Sequence, residues 1–279
     1  MVAMNPFINK DFVIATMHHK ERVIEPLLTQ KLQINCLTNG TINTDLLGTF
    51  SGEIERTLTA YEAAIAKCRM AFNLSDAEYA VASEGSFGPH PTLFFAPADE
   101  ELMVCISRDE KLIVWAKHLT TETNYAQIEN PSEEELSQFL SRTLFPSHKI
   151  IFKSTSILEK GIDDIKTLNK LIQVAKEKSE FFRIETDMRA HCNPTRMRVI
   201  EETTEKLIEK LKSFCPSCMT PGFSIQEVIK GLPCSQCGLP TESTLKFVKT
   251  CLHCKHKEEV PFPRGIHEED PMYCNFCNP

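Results

Sequence analysis

Short apolar runs alternate with amphipathic stretches over most of the chain. Phe12–Thr16 is an unbroken apolar segment and predicts a buried strand. It leads through Met17-His18-His19-Lys20 into a helix from about Glu21 to Gln30, with Val23, Ile24, Leu27 and Leu28 on one face. Leu32–Leu37 predicts a second strand. A stretch rich in Thr, Asn and Gly runs to Gly52, and a long helix is predicted from about Glu53 to Phe72. In it Ile54, Leu58, Tyr61, Ile65 and Cys68 recur at spacings of three and four. Glu78–Ser83 predicts a third strand, entering Glu84-Gly85-Ser86-Phe87-Gly88-Pro89-His90-Pro91. Further strands are predicted at Leu102–Ser107, Leu112–Lys117 and His148–Lys153. Ser132 with Glu135 spells a capping box, and Ile162–Lys178 and Pro194–Leu211 read as helices. This alternation predicts an α/β domain: a mixed sheet with flanking helices.

The pattern breaks near Ser213. Residues 1–213 suffice for a sizeable core, whereas residues 214–279 are polar and Pro-rich. That tail holds eight of the chain's twelve cysteines in four Cys-x-x-Cys pairs: Cys215/Cys218, Cys234/Cys237, Cys251/Cys254 and Cys274/Cys277. Two thiolates three apart on a tight turn face one tetrahedral ion, so eight of them complement two structural zinc sites. The alternative is disulfides. Against them, the N-terminus carries no signal-peptide pattern, and Cys36, Cys68, Cys105 and Cys192 stand alone in apolar or helical contexts. No apolar run approaches the ~18 residues that span a bilayer, so a cytoplasmic protein without membrane contact is expected.

Residues 232–238 and 245–254 read as a zinc ribbon, with knuckle, turn, strand and knuckle in turn. Cys234/Cys237 would then share one ion with Cys251/Cys254, and Cys215/Cys218 the outer one with Cys274/Cys277. Sequential pairing, with spacings of 15 and 19 residues, is equally acceptable. Neither ligand set is short by one, so both ions read as structural, with His253 and His256 as bystanders. The tail's charges nearly cancel, so a nucleic-acid role gains no electrostatic support.

Candidate chemistry lies upstream. Glu84 closes a predicted strand before two nearby glycines, at the sheet edge where open α/β folds bind ligands. A tight turn bearing a solvated carboxylate is the bland alternative. Lys20 opens a helix, where backbone amides favour anions. Glu53 and Glu55 open the long helix, and Glu53 with Glu84 would suit Mg²⁺, although acids are common in any first helical turn. Asp187, Arg189, His191, Asn193, Arg196 and Arg198 crowd the start of the last helix. They suit phosphate or base contacts, or else a solvated helix start with Asp187 paired to an arginine.

Ala15-Thr16-Met17-His18-His19-Lys20 resembles the phosphate loop of the inosine/xanthosine triphosphate pyrophosphatases and the related Maf proteins. In that family a Gly-Thr-Phe-type loop with a metal-binding Glu comes next, and then an Ala-rich helix carrying a Lys. Their counterparts are Gly48-Thr49-Phe50, Glu53 and Ala63–Lys67. Ala80–Gly85 is similar to the family's strand ending in an acid, and Asp187–His191 to its Ser-His-Arg-like segment. The chain departs from the pattern in three ways: the first loop lacks the usual Asn, Asp-Asp-Ser-Gly appears as Ser83-Glu84-Gly85-Ser86, and the Gly-Tyr-Asp-Pro-type segment has no counterpart. More closely, the whole chain is similar to an uncharacterised bacterial family marked by the segments Ala82–Pro91 and Thr186–Met197, paired knuckles and a terminal Cys-Asn-Pro.

The resemblance to the pyrophosphatases implies a Mg²⁺-dependent nucleoside triphosphate pyrophosphatase-like hydrolase, here with a structural two-zinc tail. Lys20, Lys67 and Arg189 would hold phosphates, Glu53 and Glu84 the Mg²⁺, and His191 or Arg196 would read the base. The competing expectation is a non-enzymatic nucleotide-binding or adaptor protein whose zinc tail binds a protein or RNA.

Overall fold

The computed structural model describes residues 5–38 and 58–279; the expected Gly48-Thr49-Phe50 loop, Glu53 and Glu55 lie outside the described residues. The chain divides into Pro6–Ile208 and a C-terminal unit from Glu209 to Pro279.

In the first unit a mixed five-stranded sheet is built from β1 (Asp11–Ala15), β2 (Asn35–Thr38), β3 (Tyr79–Pro89), β4 (Pro97–Ser107) and β5 (Ile113–Thr120). Their order is β2-β1-β3-β4-β5, with β1 parallel to β2 and β3 and the remaining pairs antiparallel. Phe12 to Ala15 are all buried, which explains an apolar run instead of an alternation. Helix α1 (Glu21–Leu32) returns the chain from β1 to β2 and buries Ile24, Leu28 and Leu32. Helix α2 (Ala60–Phe72) lays Ala64, Ile65, Cys68 and Ala71 on Val13, Ala15, Ala80, Ala82, Leu102 and Val104. Small side chains on both surfaces let helix and sheet approach closely.

Three expectations are corrected. The long helix begins at Ala60 instead of Glu53, and Leu58 and Tyr61 stay exposed. Its start is set by Thr59, which accepts from the Glu62 amide while the Glu62 carboxylate takes the Thr59 amide. The third strand does not stop at Ser83 but runs to Pro89, paired along its length with β4. The remaining strands do not join the same sheet. They form a second, antiparallel sheet of β6 (Gln127–Glu129), β7 (Ile150–Ser154), β8 (Leu158–Ile162) and β9 (Phe182–Thr186), in the order β6-β9-β7-β8. Helices α3 (Glu133–Arg142) and α4 (Ile165–Glu177) cover it around Phe139, Phe152, Leu168 and Ile184.

Helix α5 (Pro194–Lys212) comes after a short 3₁₀ turn at Ala190–Cys192. The C-terminal unit holds an antiparallel meander of β10 (Ser224–Lys230), β11 (Thr244–Thr250) and β12 (Lys257–Pro261). Among the described residues no helix is long and apolar enough to cross a membrane.

Candidate functional site

β1 ends where Ala15 pairs with Ala82, while β3 continues; Ser83 to Gly85 therefore stand just past the carboxyl end of a parallel pair. The chain leaving β1 turns through His18 and His19, both left-handed (φ 65° and 59°), and brings Lys20 back over this edge. Lys20 is buried, and its Nζ donates to Ser83 Oγ (2.9 Å) and more weakly to the Ser83 carbonyl (3.4 Å). Burial, then the positive charge of Arg196, pulls the Lys20 ammonium down to about 7. Lys67 reaches up from α2 and ion-pairs with buried Glu84.

Sequence reasoning missed the next residues along the hairpin. Strand pairing sets Glu101 opposite Gly85 and Asp99 opposite Phe87. Glu101 and Asp99 are 0% and 1% exposed. Glu101 Oε1 accepts from Arg196 Nε (2.7 Å), itself 0% exposed with its guanidinium 5.0 Å above the Phe87 ring. A methyl group on Gly85 would overlap Glu101 Oε1 and Arg196 Nη2, so glycine is what admits the pair. Burial, then the negative charge of Glu101, pushes Asp99 up to about 8. The sequence signal for these acids is Asp99-Glu100-Glu101 set directly before the apolar run Leu102–Ile106.

Arg196 thus spends its guanidinium on Glu101, Phe87 and the Met188 carbonyl. Arg189 holds Asp187 through Nε (2.9 Å) and Nη2 (2.6 Å). Burial opposes the Asp187 charge, but these bonds outweigh it and hold the carboxyl below its usual range. His191 stacks on His18 (5.2 Å between centroids) and meets His19 edge-on (5.7 Å). Burial, then His191 and Lys20, drives His18 down to about 3, leaving a neutral ring at physiological pH. Arg196, Glu101, Lys67 and Glu84 all act electrostatically on Lys20, and His191, Lys20, Arg189 and Arg196 on His18. Of the candidates, Lys67, Glu84 and Arg196 thus surround Lys20, and Arg189 and His191 lie by His18, whereas Arg198 pairs with exposed Glu122 and Asn193 donates to Asn124.

The cysteines gather into two sets. Cys215, Cys218, Cys251 and Cys254 form one, Cys234, Cys237, Cys274 and Cys277 the other, each with its sulfurs within 4.8 Å of one another. Between the two knuckles of a set the sulfurs lie 3.6 Å (Cys215–Cys254), 3.6 Å (Cys218–Cys251), 3.8 Å (Cys234–Cys277) and 3.7 Å (Cys237–Cys274) apart. A tetrahedral ion with ~2.3 Å bonds to sulfur sets its ligands roughly 3.8 Å apart, so both sets fit a metal such as zinc. Each knuckle closes alike: the amides of Met219, Gly238, Lys255 and Asn278 donate to the carbonyls of Cys215, Cys234, Cys251 and Cys274, four residues back. Gly238 does so at φ 72°, where a side chain would be strained.

This pairing is neither the nested nor the sequential one expected: first pairs with third and second with fourth. The meander dictates it. Ser224 pairs with Thr250 and Lys230 with Thr244, so the knuckle before β10 meets the knuckle after β11 at one end. The knuckle after β10 lies at the other end, where Cys234 bridges to Glu269 and brings in the last pair.

An α/β domain with a charged, buried sheet edge and a C-terminal module of two four-cysteine clusters is thus defined. Residues 67–279 match DUF6671, a domain of unknown function, and the chain belongs to that family. No curated protein matches the chain.

Proposed function

We propose that the protein is a Mg²⁺-dependent hydrolase of phosphoanhydrides, acting on a nucleoside triphosphate or a relative of one, with a zinc-stabilised tail. The observation that carries this reading is the meeting of Lys20, Lys67 and Glu84 past the carboxyl end of β1 and β3, with Arg189, His191 and Arg196 in the same electrostatic neighbourhood. Open α/β sheets bind ligands at such edges. Phosphoryl transfer asks mainly for positioned positive charge, which Lys67 and Arg189 supply, joined by Lys20 once it is protonated. In this reading an incoming phosphate competes with Glu84 for Lys67. The freed carboxylate, with Glu53, would hold Mg²⁺, which would supply a polarised water for the attack; of the two residues expected at the base, His191 is exposed and would contact it, whereas Arg196 is fully buried and engaged by Glu101.

The test is pyrophosphate and phosphate release from a panel of canonical and modified nucleoside triphosphates with Mg²⁺, beside Glu84→Gln. Turnover that vanishes in the variant is expected. Silence across the panel, with fold and zinc intact, removes the hydrolase. A second reading, a nucleotide-binding adaptor whose tail engages a protein or RNA, is favoured by exposed apolar side chains beside the cysteines. Met219, Leu252, Tyr273 and Phe276 are 51%, 49%, 58% and 70% exposed.

A further inference from the structure

On β4, beside the charged sheet edge, three carboxylate oxygens are buried without donors. Asp99 Oδ1, Asp99 Oδ2 and Glu101 Oε2 each expose under 1 Å² and find no hydrogen-bond partner among the described residues. The two side chains stand two residues apart on β4, hence on one face of the sheet. The remaining oxygen, Glu101 Oε1, accepts from Arg196 Nε. Lys20 also acts on Asp99, but burial suppresses its charge. One guanidinium thus faces two buried carboxyl groups, and an acceptor buried without a donor carries a desolvation cost that a bound cation or proton would relieve. Three such oxygens on two neighbouring side chains of one strand call for a compensating group.

We propose that Asp99 and Glu101 form a binding site for a hard divalent cation. Oxygen ligands without nitrogen or sulfur select Mg²⁺, Mn²⁺ or Ca²⁺ over zinc. Mg²⁺ and Mn²⁺ accept one or two protein carboxylates and complete their shell with water or substrate oxygens. The bidentate carboxylate of Asp99 and the second oxygen of Glu101 supply three ligands, while Arg196 holds Glu101 in place through its other oxygen. The set is distinct from Glu84, whose carboxylate is engaged by Lys67. It stands on its own geometry; if the hydrolase reading is right, the cation faces the same sheet edge as the phosphates.

The test uses full-length, zinc-replete protein and Mn²⁺ alone, with free Mn²⁺ followed by electron paramagnetic resonance and no nucleotide present. One Mn²⁺ per chain is expected, competed by Mg²⁺. Asp99→Asn should weaken it by more than the roughly 10–100-fold that loss of a supporting group costs. The Asp99 carboxylate makes no hydrogen bond to lose, so the variant should keep its thermal midpoint and its zinc; Glu84→Gln should keep its Mn²⁺. Wild-type protein that takes up no Mn²⁺, or Asp99→Asn that binds as wild type, overturns the site and leaves a proton shared between the carboxyls as the compensation. Mn²⁺ uptake that depends on Asp99, with no nucleotide turnover, keeps the site and removes the hydrolase. Turnover dependent on Glu84 without such uptake does the reverse.

Discussion

Deleting Cys277-Asn278-Pro279 removes one of eight thiolates and distinguishes every way the knuckles could pair. In the structure Cys277 shares its cluster with Cys234, Cys237 and Cys274, its sulfur 3.8 Å from that of Cys234. A structural zinc site is worth roughly 10–16 kcal/mol of apparent folding free energy, and a three-thiolate remnant keeps only part of it. The other cluster lies at the far end of β10 and β11, each seven residues long. At ~3.3 Å per residue the strand ends are roughly 20 Å apart, too far for a lost ligand at one end to open the other. Native mass spectrometry should therefore find one zinc in place of two. That count alone does not discriminate, so alkylation and then peptide mapping is the deciding assay. Cys234, Cys237 and Cys274 should become reactive while Cys215, Cys218, Cys251 and Cys254 stay protected. Nested pairing would expose Cys215 and Cys218, and sequential pairing Cys251 and Cys254. Labelling at either of those pairs, or retention of two zinc ions, would refute the interleaved geometry.

The sheet edge yields two further outcomes. Gly85→Ala forces a methyl group onto Glu101 Oε1 and Arg196 Nη2, whose side chains are fully buried and bonded to each other and so cannot swing aside. Overpacking of this kind costs about 1–3 kcal/mol, to be read as a lowered unfolding midpoint by calorimetry; an unchanged midpoint would mean that the pair relaxes freely. Lys20 is charged only below about pH 7, so sulfate affinity at this edge should fall as pH rises through 7, and Lys20→Met should flatten that dependence in titration calorimetry. For stability the sign is opposite. The unfolded chain takes up the lysine proton near 10.5 and the folded one only near 7, so stability is lost as pH falls between those values. Below 7 the loss is complete, and there Lys20→Met should gain most over wild type in its unfolding midpoint.

What could be read from the sequence, and what could not, divides along the range of the interactions involved. α1, α3, α5 and the knuckles were legible because their signals are local: a 3.6-residue period, a capping box at Ser132 and Glu135, a proline at the first turn of α5, and thiols three apart. The length of β3 was not legible. Its outer half, Glu84-Gly85-Ser86-Phe87-Gly88-Pro89, has the composition of a turn, and it is held extended only because β4 pairs with every residue of it. The same cause hid Asp99 and Glu101. In one dimension they are two acids ahead of an apolar strand; opposite Gly85 and Phe87 they become the buried carboxylates that Arg196, 95 residues away from Glu101, is drawn in to meet.

The knuckle pairing was hidden for the same reason in reverse. Spacing along the chain ranks neighbours by sequence, whereas an antiparallel hairpin joins the segment before its first strand to the segment after its second. Ser224 opposite Thr250 is enough to force Cys215/Cys218 onto Cys251/Cys254, and it excludes both of the simpler schemes. Once that cluster is closed, Cys234/Cys237 are left at the other end of the meander with two open ligand positions. The chain satisfies them by returning along Glu269 to deliver Cys274 and Cys277. The metal sites and the strand register thus specify each other. A register slip of one residue in β10 would turn its outward side chains inward and pull one knuckle of each cluster out of line, so a metal ion bound in either cluster would resist at its own end the slip that would misplace the other.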